Sequence, residues 1–199
     1  MRILIIGVLL CAQWVFAGNG MTSKSVEIGK TLPVVELNGR AGELRIVNNE
    51  IEYMPWSSSS LRGQAHLLYI VAARLGVDKI NDALLSSLRS EGGVEAFPDN
   101  RVKVISVINI DDVFPMGGSF ARTAFEDAKL DPSNSHAMFV LDDKSLIHET
   151  WGLKPKGAAV IVLDTAGRVR RFKDGKLSSA EIDDFISVIK KLRDGEPVE

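Results

Sequence analysis

The pattern of apolar and polar positions predicts a series of short β-strands. Alternation is typical of a half-buried strand, and a short continuous apolar run is typical of a fully buried one. The first two strands flank Asn48-Asn49, a dipeptide that favours a two-residue hairpin turn. The predicted strands are 43–47, 50–54, 64–71, 101–110, 137–141, 159–163 and 168–172.

Helical spacing of apolar residues follows several of these strands. We expect a helix from about Asp78, a second from Gly117 and a short third over 145–151. The last helix has the clearest signal, because Ser178 and Glu181 have the spacing of a capping box ahead of an apolar stripe. The order is an initial hairpin, a βαβ unit, a further helix, an inserted strand and helix, and a terminal hairpin with its helix. It predicts one α/β domain.

Composition narrows the class of partner. Hydrophobic residues make up 45% of the chain, charged residues 25%, and the formal net charge is -2. These values are typical of a soluble globular protein, and so small a net charge does not favour a nucleic-acid partner. A basic cluster over 168–176 is interpreted as the solvated face of the terminal hairpin.

The first residues have the pattern of an export signal. Arg2 precedes the apolar run 3–10, and Ala17 is a small residue suited to the position before a cleavage site. Cleavage there would remove Cys11, which is the only cysteine in the sequence. The alternatives are an uncleaved membrane anchor, for which the run is short, and a lipidated Cys11, which is preceded by bulky residues.

The predicted division of the chain follows from this pattern. Residues 1–17 are expected to be a signal peptide, 18–28 a flexible leader, 29–194 the folded domain and 195–199 a C-terminal tail. No stable membrane span is expected after cleavage.

The order of elements resembles the thioredoxin fold, with the insertion seen in its peroxiredoxin-like and TlpA-like branches. The segment 109–122, together with Arg74, Asn81 and Trp151, resembles the YtfJ family of small periplasmic proteins from gammaproteobacteria. The resemblance runs over about 29–192. It implies a thioredoxin-like fold with an N-terminal β-hairpin and an inserted strand-helix before the C-terminal ββα, and a periplasmic location. It implies no activity, since none is established for that family.

The residues that redox members of this fold use are missing. Those proteins carry Cys-x-x-Cys at a helix start after the first core strand, where the helix N-terminus stabilises a thiolate. Leu75-Gly76-Val77-Asp78 has that place here, and Ala158 stands where those proteins have a cis-proline. We therefore expect neither a thiol–disulfide oxidoreductase nor a thiol peroxidase.

The same edge of the sheet is the expected binding site. The loops 72–77 and 110–118 and the start of the hairpin strand at Ala158 should meet there, where open α/β sheets usually bind ligands. The candidate binding residues are Arg74, Asn109, Asp111, Asp112, Gly117, Gly118, Ser119 and Arg122.

Each candidate has two interpretations. The glycine pair and its serine could cradle an anion with the help of the two arginines, or could simply let the chain turn. The two aspartates could bind a cation or act as general acid and base, or could cap a turn and pair with an arginine. His66, His136 and His148 have no metal-ligand spacing and are expected to be structural, with His148 in an exposed short helix.

Three functions remain open at this level. The first is a non-catalytic binding or accessory protein of the cell envelope, whose partner is a small anion, a peptide or an envelope protein, with no cofactor and no metal. The second is an enzyme with non-thiol chemistry that uses Asp111 or Asp112 with Arg74. The third is thiol chemistry through Cys11, which requires the leader to be retained.

Overall fold

A computed structural model describes residues 25–90, 101–111, 117–134 and 137–198. The strands are β1 (Glu36–Leu37), β2 (Gly42–Val47), β3 (Glu50–Met54), β4 (Trp56–Ser57), β5 (Ala65–Ala72), β6 (Val102–Asn109), β7 (Met138–Asp142), β8 (Ala158–Leu163) and β9 (Val169–Asp174). The α-helices are α1 (Asp82–Ser90), α2 (Gly117–Leu130), α3 (Leu146–Trp151) and α4 (Ser179–Asp194). The α/β class predicted from the pattern is confirmed.

One mixed sheet organises the described chain. Its strand order is β3-β2-β7-β6-β5-β8-β9, and β1 pairs with β4 in a separate two-stranded sheet. The three central strands β5, β6 and β7 are parallel, and the remaining pairs are antiparallel. The carboxyl ends of β5, β6 and β7 therefore share one edge, which is the arrangement that the βαβ pattern predicts.

The helices cover opposite faces of this sheet. On one face, Leu84 of α1 and Ile189 of α4 pack with the odd-numbered residues of β5, and α2 packs nearby through Phe125. Ile108 of β6 contacts both groups, which places α1, α2 and α4 on the same side. On the other face, α3 packs through Trp151 against the alternate residues of β5 and β6. Trp151 and Trp56 both lie in the core.

The N-terminal hairpin has the expected turn and is joined to the main sheet. Asn48 and Asn49 have φ values of 52 and 64°, the left-handed conformations that a type I′ turn requires. β2 pairs with β7 on its other side. Gly42, the first residue of β2, lets this strand lie close to the end of β3: its φ is +113°, and a Cβ there would lie 2.3 Å from the carbonyl oxygen of Met54.

Two boundaries differ from those expected. α1 begins at Asp82 rather than near Asp78, because residues 74–82 form successive turns held by hydrogen bonds between residues three apart. The packed chain includes Val26, whose amide donates to the carbonyl of Trp151, and at the other end Val198, which packs against the core cluster that contains residues of β5 and α4. Core contacts thus extend beyond the predicted 29–194.

Candidate functional site

The topology creates a crevice between β6 and β7. The chain leaves β5 and β6 for helices on one face of the sheet, whereas it leaves β7 for α3 on the opposite face. Because the connections after β6 and β7 diverge, the carboxyl ends of these neighbouring strands lie at a topological switch point, where open α/β sheets bind ligands. Asn109 and Asp142, paired across the two strands, are the last residues of β6 and β7.

Asn109 is the centre of a polar cluster in this crevice. Its side chain is fully buried, with 0% exposed. Its Oδ1 accepts a hydrogen bond from the amide of Asp111 at 2.9 Å. Its Nδ2 donates to Ser145 Oγ at 2.8 Å and faces His148 Nδ1 at 3.3 Å. The amide orientation is fixed by the first bond, so both Nδ2 hydrogens serve the other two partners.

Asp142, the last residue of β7, caps the start of α3 with its side chain. Its Oδ1 accepts from the amides of Lys144 and Leu146, at 3.2 and 3.1 Å, and its Oδ2 accepts from the amide of Ile147 at 2.8 Å. A carboxylate at a helix start satisfies amides that have no partner within the helix. The fully buried carboxylate of Asp142 thus fixes the turn that leads to α3.

Ser145 stands at that turn in a left-handed conformation, with φ 57° and ψ 19°. Non-glycine residues rarely adopt it, and it persists only where surrounding contacts hold it. Here Ser145 Oγ accepts from Asn109 and donates to Asp111 Oδ2 at 3.1 Å. Ser145 therefore links the end of β6 to the start of α3.

His148 is buried, with 5% of its surface exposed. The expectation that it lies in an exposed helix is wrong, because α3 turns this residue toward the end of β6. Since Asn109 Nδ2 is a donor, a hydrogen bond between these two atoms requires His148 Nδ1 to be the acceptor. The imidazole is a member of the polar cluster.

The start of the loop after β5 contacts the end of β6 and the residue before β8. The amide of Ala73 donates to the carbonyl of Asn109 at 2.8 Å, and the amide of Ala72 donates to the carbonyl of Gly157 at 2.9 Å. Arg74 is half-buried in the first of these loops. Leu75, which has the place of a redox cysteine, is 104% exposed. The described part of this edge is therefore formed by the loop after β5, the end of β6 and the residue before β8.

The remaining candidates have different surroundings. Gly117 and Gly118 form the first turn of α2 with Ser119, as expected for a helix start, and Phe120 beside them is 79% exposed. Asp112 lies outside the described residues.

Arg122 is held by protein groups. Its guanidinium donates to the carbonyl of Arg40 at 2.6 Å, lies 3.5 Å from Asp143 Oδ2, and is placed over the ring of Tyr53 at 5.3 Å. The Tyr53 hydroxyl in turn donates to Glu126. These contacts tie α2 to the N-terminal hairpin, and they do not bring Arg122 into contact with Asn109 or Asp111.

Sequence reasoning missed Asp142, Ser145 and His148. A signal for the first was available, because an acidic residue directly after a buried strand and before a short helix favours a cap. The contacts of Ser145 and His148 with Asn109 join residues far apart in sequence and depend on which face α3 covers. No spacing rule would have found them.

Neither a metal centre nor a membrane-spanning helix is found among the described residues. No group of three or more His, Cys, Asp or Glu side chains there is arranged to hold a metal ion. Within the same residues, no helix is long and apolar enough to cross a membrane.

Solved structures establish the type of fold. The chain is similar to a thiol peroxidase from Chromobacterium violaceum, with a TM-score of 0.53 and 13% identity over 84% of this chain and 88% of that one. It is also similar to the thioredoxin domain of a thiol-disulfide oxidoreductase from Bacteroides vulgatus, with a TM-score of 0.51 and 13% identity over 83% and 99%. Identities this low show only that the fold is shared. That fold is thioredoxin-like, as predicted.

Sequence relatives establish the family. A protein of Haemophilus influenzae, described as uncharacterized, is 29% identical over 168 residues, which cover 84% of this chain and 88% of the relative. The uncharacterized protein YtfJ of Escherichia coli K12 is 30% identical over 167 residues, covering 83% and 86%. Residues 26–192 match the family described as "Bacterial protein of unknown function (YtfJ_HI0045)". The chain therefore belongs to the YtfJ family.

Proposed function

We propose that this protein is a non-catalytic binding or accessory protein of the bacterial cell envelope, which binds its partner at the carboxyl edge of the sheet. One observation carries the proposal: the thioredoxin-like scaffold is complete, yet the place of its reactive cysteines holds exposed Leu75 and a series of turns. The sequence has no other cysteine than Cys11, in the leader. Without a thiolate this edge cannot exchange disulfides, so it is left as a surface for recognition.

The hydrogen bonds at the edge support binding over non-thiol catalysis. A serine nucleophile needs a base to accept its proton and amide donors to stabilise an oxyanion. Ser145 donates to the exposed carboxylate of Asp111, with Asn109 as its other partner. The amides of Leu146 and Ile147, which begin α3, already donate to Asp142. These groups hold one another in place, and the amides of Leu146 and Ile147 are not available to stabilise an oxyanion.

The envelope location rests on the leader. Arg2, the apolar run 3–10 and Ala17 form the pattern of a cleaved export signal. We expect the mature protein to be periplasmic and to lack residues 1–17. Intact-mass measurement on protein from the envelope fraction tests this, and a mass that retains those residues would contradict it.

A ligand screen tests the binding role. Residues 18–199 are screened by thermal shift against small solutes and peptides, since a ligand that binds only the folded state raises its stability. We expect a saturable shift with a ligand that mass spectrometry recovers unchanged after long incubation. Arg74→Ala should weaken this shift, and Arg193→Ala, on the distant α4, should leave it intact. Conversion of the ligand, or a screen without any saturable shift, would refute the proposed function.

Activity assays complete the test. Mature protein is expected to show no disulfide reduction and no peroxide turnover, because both reactions need a thiolate nucleophile. Turnover by the cysteine-free chain would show that the protein has a reactive group, and it would contradict the proposed non-catalytic role.

A further inference from the structure

The strand β3 forms an open lateral edge of the main sheet. It is the first strand in the sheet order, and in the described structure only β2 pairs with it. Its residues Glu50–Met54 pair with β2 in continuous register, without a bulge. The opposite edge is partly covered, because Gly29 and Lys30 exchange backbone hydrogen bonds with Val169 of β9. An uncovered edge strand presents backbone donors and acceptors that another chain can use.

The hairpin turn determines which backbone groups of β3 point away from β2. Across a two-residue turn the flanking residues, here Val47 and Glu50, form a hydrogen-bonded pair, and such pairs recur at every second residue. The amides and carbonyls of Ile51 and Tyr53 therefore point outward. Neither residue has a backbone hydrogen bond to another element in the described structure. These groups are available to a further strand.

The two faces of β3 differ in chemistry, because successive side chains of a strand alternate between faces. Ile51 and Tyr53 are half-buried and pack against the core cluster under α2. Ile46, the register partner of Ile51, is 44% exposed on this face. Glu50 and Glu52 lie on the opposite face and are exposed. A strand added at this edge would therefore have apolar neighbours on one face and carboxylates on the other.

The carboxylates of this edge keep their charge. Arg45 is the register partner of Glu52, but its guanidinium forms an ion pair with Glu43 of its own strand, at 3.1 Å. No ion pair among the described residues includes Glu50 or Glu52. Opposite charges on neighbouring strands stabilise a sheet, and like charges destabilise it. The edge therefore favours a basic strand as its neighbour.

The same glutamates disfavour a second copy of this chain at the edge. If β3 paired antiparallel with β3 of another molecule around Glu52, the two Glu52 side chains would lie directly opposite each other. If it paired around Ile51, each Glu50 would lie opposite Glu52 of the other molecule. Both registers place like charges in contact, which is destabilising. The occupant that this edge fits is therefore a different chain.

We propose that the open edge of β3 binds an extended segment of another protein, in which basic and apolar residues alternate. The segment adds a strand to the sheet through the backbone groups of Ile51 and Tyr53. Its basic side chains lie beside Glu50 and Glu52, and its apolar side chains lie on the face of Ile46. Main-chain bonds supply the affinity in strand addition of this kind, and alternate side chains supply the specificity. This surface is a second binding site, separate from the carboxyl edge of the sheet.

The test uses isotope-labelled residues 18–199 and three synthetic peptides at about 0.15 M salt, which screens distant charges. The first peptide alternates lysine and valine, the second has the same sequence with every backbone nitrogen methylated, and the third has glutamate in place of lysine. We expect the first peptide to shift the amide signals of Ile51 and Tyr53 in a saturable way and to slow their hydrogen exchange. The other two should bind about tenfold more weakly, because one lacks backbone donors and the other repels the glutamates.

Matched variants show whether this edge is responsible. Glu50→Gln combined with Glu52→Gln removes both charges from exposed positions and should weaken binding of the lysine–valine peptide about tenfold. Asp183→Asn combined with Glu196→Gln makes the same change of charge on the exposed surface of α4 and the tail after it, and should leave the affinity unchanged. Ile51→Pro removes an outward amide where an edge strand tolerates proline, and should also weaken binding.

Four results would overturn this inference. The first is no saturable shift of the Ile51 and Tyr53 amides with the lysine–valine peptide, and the second is equal affinity for the methylated or the glutamate peptide. The third is equal peptide affinity in the two double variants. The fourth is protection of the same amides without peptide that grows with protein concentration, because it would show that a second copy occupies the edge. The proposed function at the carboxyl edge does not depend on these outcomes.

Discussion

His66 offers a quantitative test of the buried sheet, through the dependence of stability on pH. It lies near the start of β5 with 4% of its surface exposed, and its Nδ1 has no hydrogen-bond partner in the described structure. Burial disfavours the charged imidazolium and lowers the pKa of His66 from 6.5 to about 4; a hydrogen bond with the backbone of Gln64 opposes this, and the charge of Lys103 adds to it. Lys103 is its direct neighbour in the register of β5 and β6.

The direction in which pH changes the stability follows from proton binding to His66 in the folded and unfolded states. Between pH 6.5 and about 4 the unfolded chain protonates this histidine while the folded chain does not, so stability falls as the pH falls. Above pH 6.5 neither state binds the proton, and below about 4 both do, so the loss is confined to this window. A tenfold difference in proton affinity is ~1.4 kcal/mol, so the full loss is about 3 kcal/mol.

Urea unfolding measured at several pH values between about 7.5 and 4, with the buried tryptophans as fluorescent probes, gives this loss directly. His66→Leu should remove about 3 kcal/mol of acid sensitivity relative to the unchanged protein. Lys103→Gln should reduce it, because the neighbouring charge no longer lowers the pKa of the imidazole. The pKa of Glu181 is lowered to about 2, chiefly by a hydrogen bond from Lys173, so its contribution is lost below pH 4.5, at the acid end of this range. Equal pH dependence in the His66→Leu variant and the unchanged protein would refute the reasoning, as would an NMR titration of His66 near 6.5.

Three further predictions concern the backbone and the former redox position. Gly42→Ala should destabilise the fold by more than about 2 kcal/mol, because a Cβ meets a carbonyl there, whereas Gly39→Ala, in open space, should cost about 1 kcal/mol in the same urea assay. Asn81→Ala should cost about 2–3 kcal/mol, because the buried amide bridges α1 to the loop before α4, and faster amide exchange in that loop should accompany the loss. In a Leu75→Cys/Asp78→Cys double variant the first thiol should keep an ordinary pKa of about 8.5, since α1 begins only after this segment. A thiolate titration that gives a value below about 7 would contradict that expectation.

The sequence by itself determined the local elements and much of the edge. Asn48-Asn49 specified its hairpin turn, because two adjacent residues with positive φ are a local requirement. Ser178 and Glu181 form the predicted capping box, in which the serine side chain accepts from the Glu181 amide and the glutamate accepts from the Ser178 amide. Apolar runs located the central strands, and the βαβ order placed the carboxyl ends of β5 and β6 side by side. These features depend either on residues close in sequence or on the right-handedness of βαβ connections. Both can be read from the order of elements along the chain.

Only the tertiary structure decided the contents of the crevice. The burial of His148 depends on the face of the sheet that α3 covers, and the link from Asn109 to Ser145 joins residues 36 apart in sequence. The pairing of β2 with β7, and the turns that delay α1, are likewise set by packing. A periodic pattern gives the direction of a side chain relative to its own element. The partner on another element is fixed only when the whole sheet has formed, and the polar cluster consists of such partners.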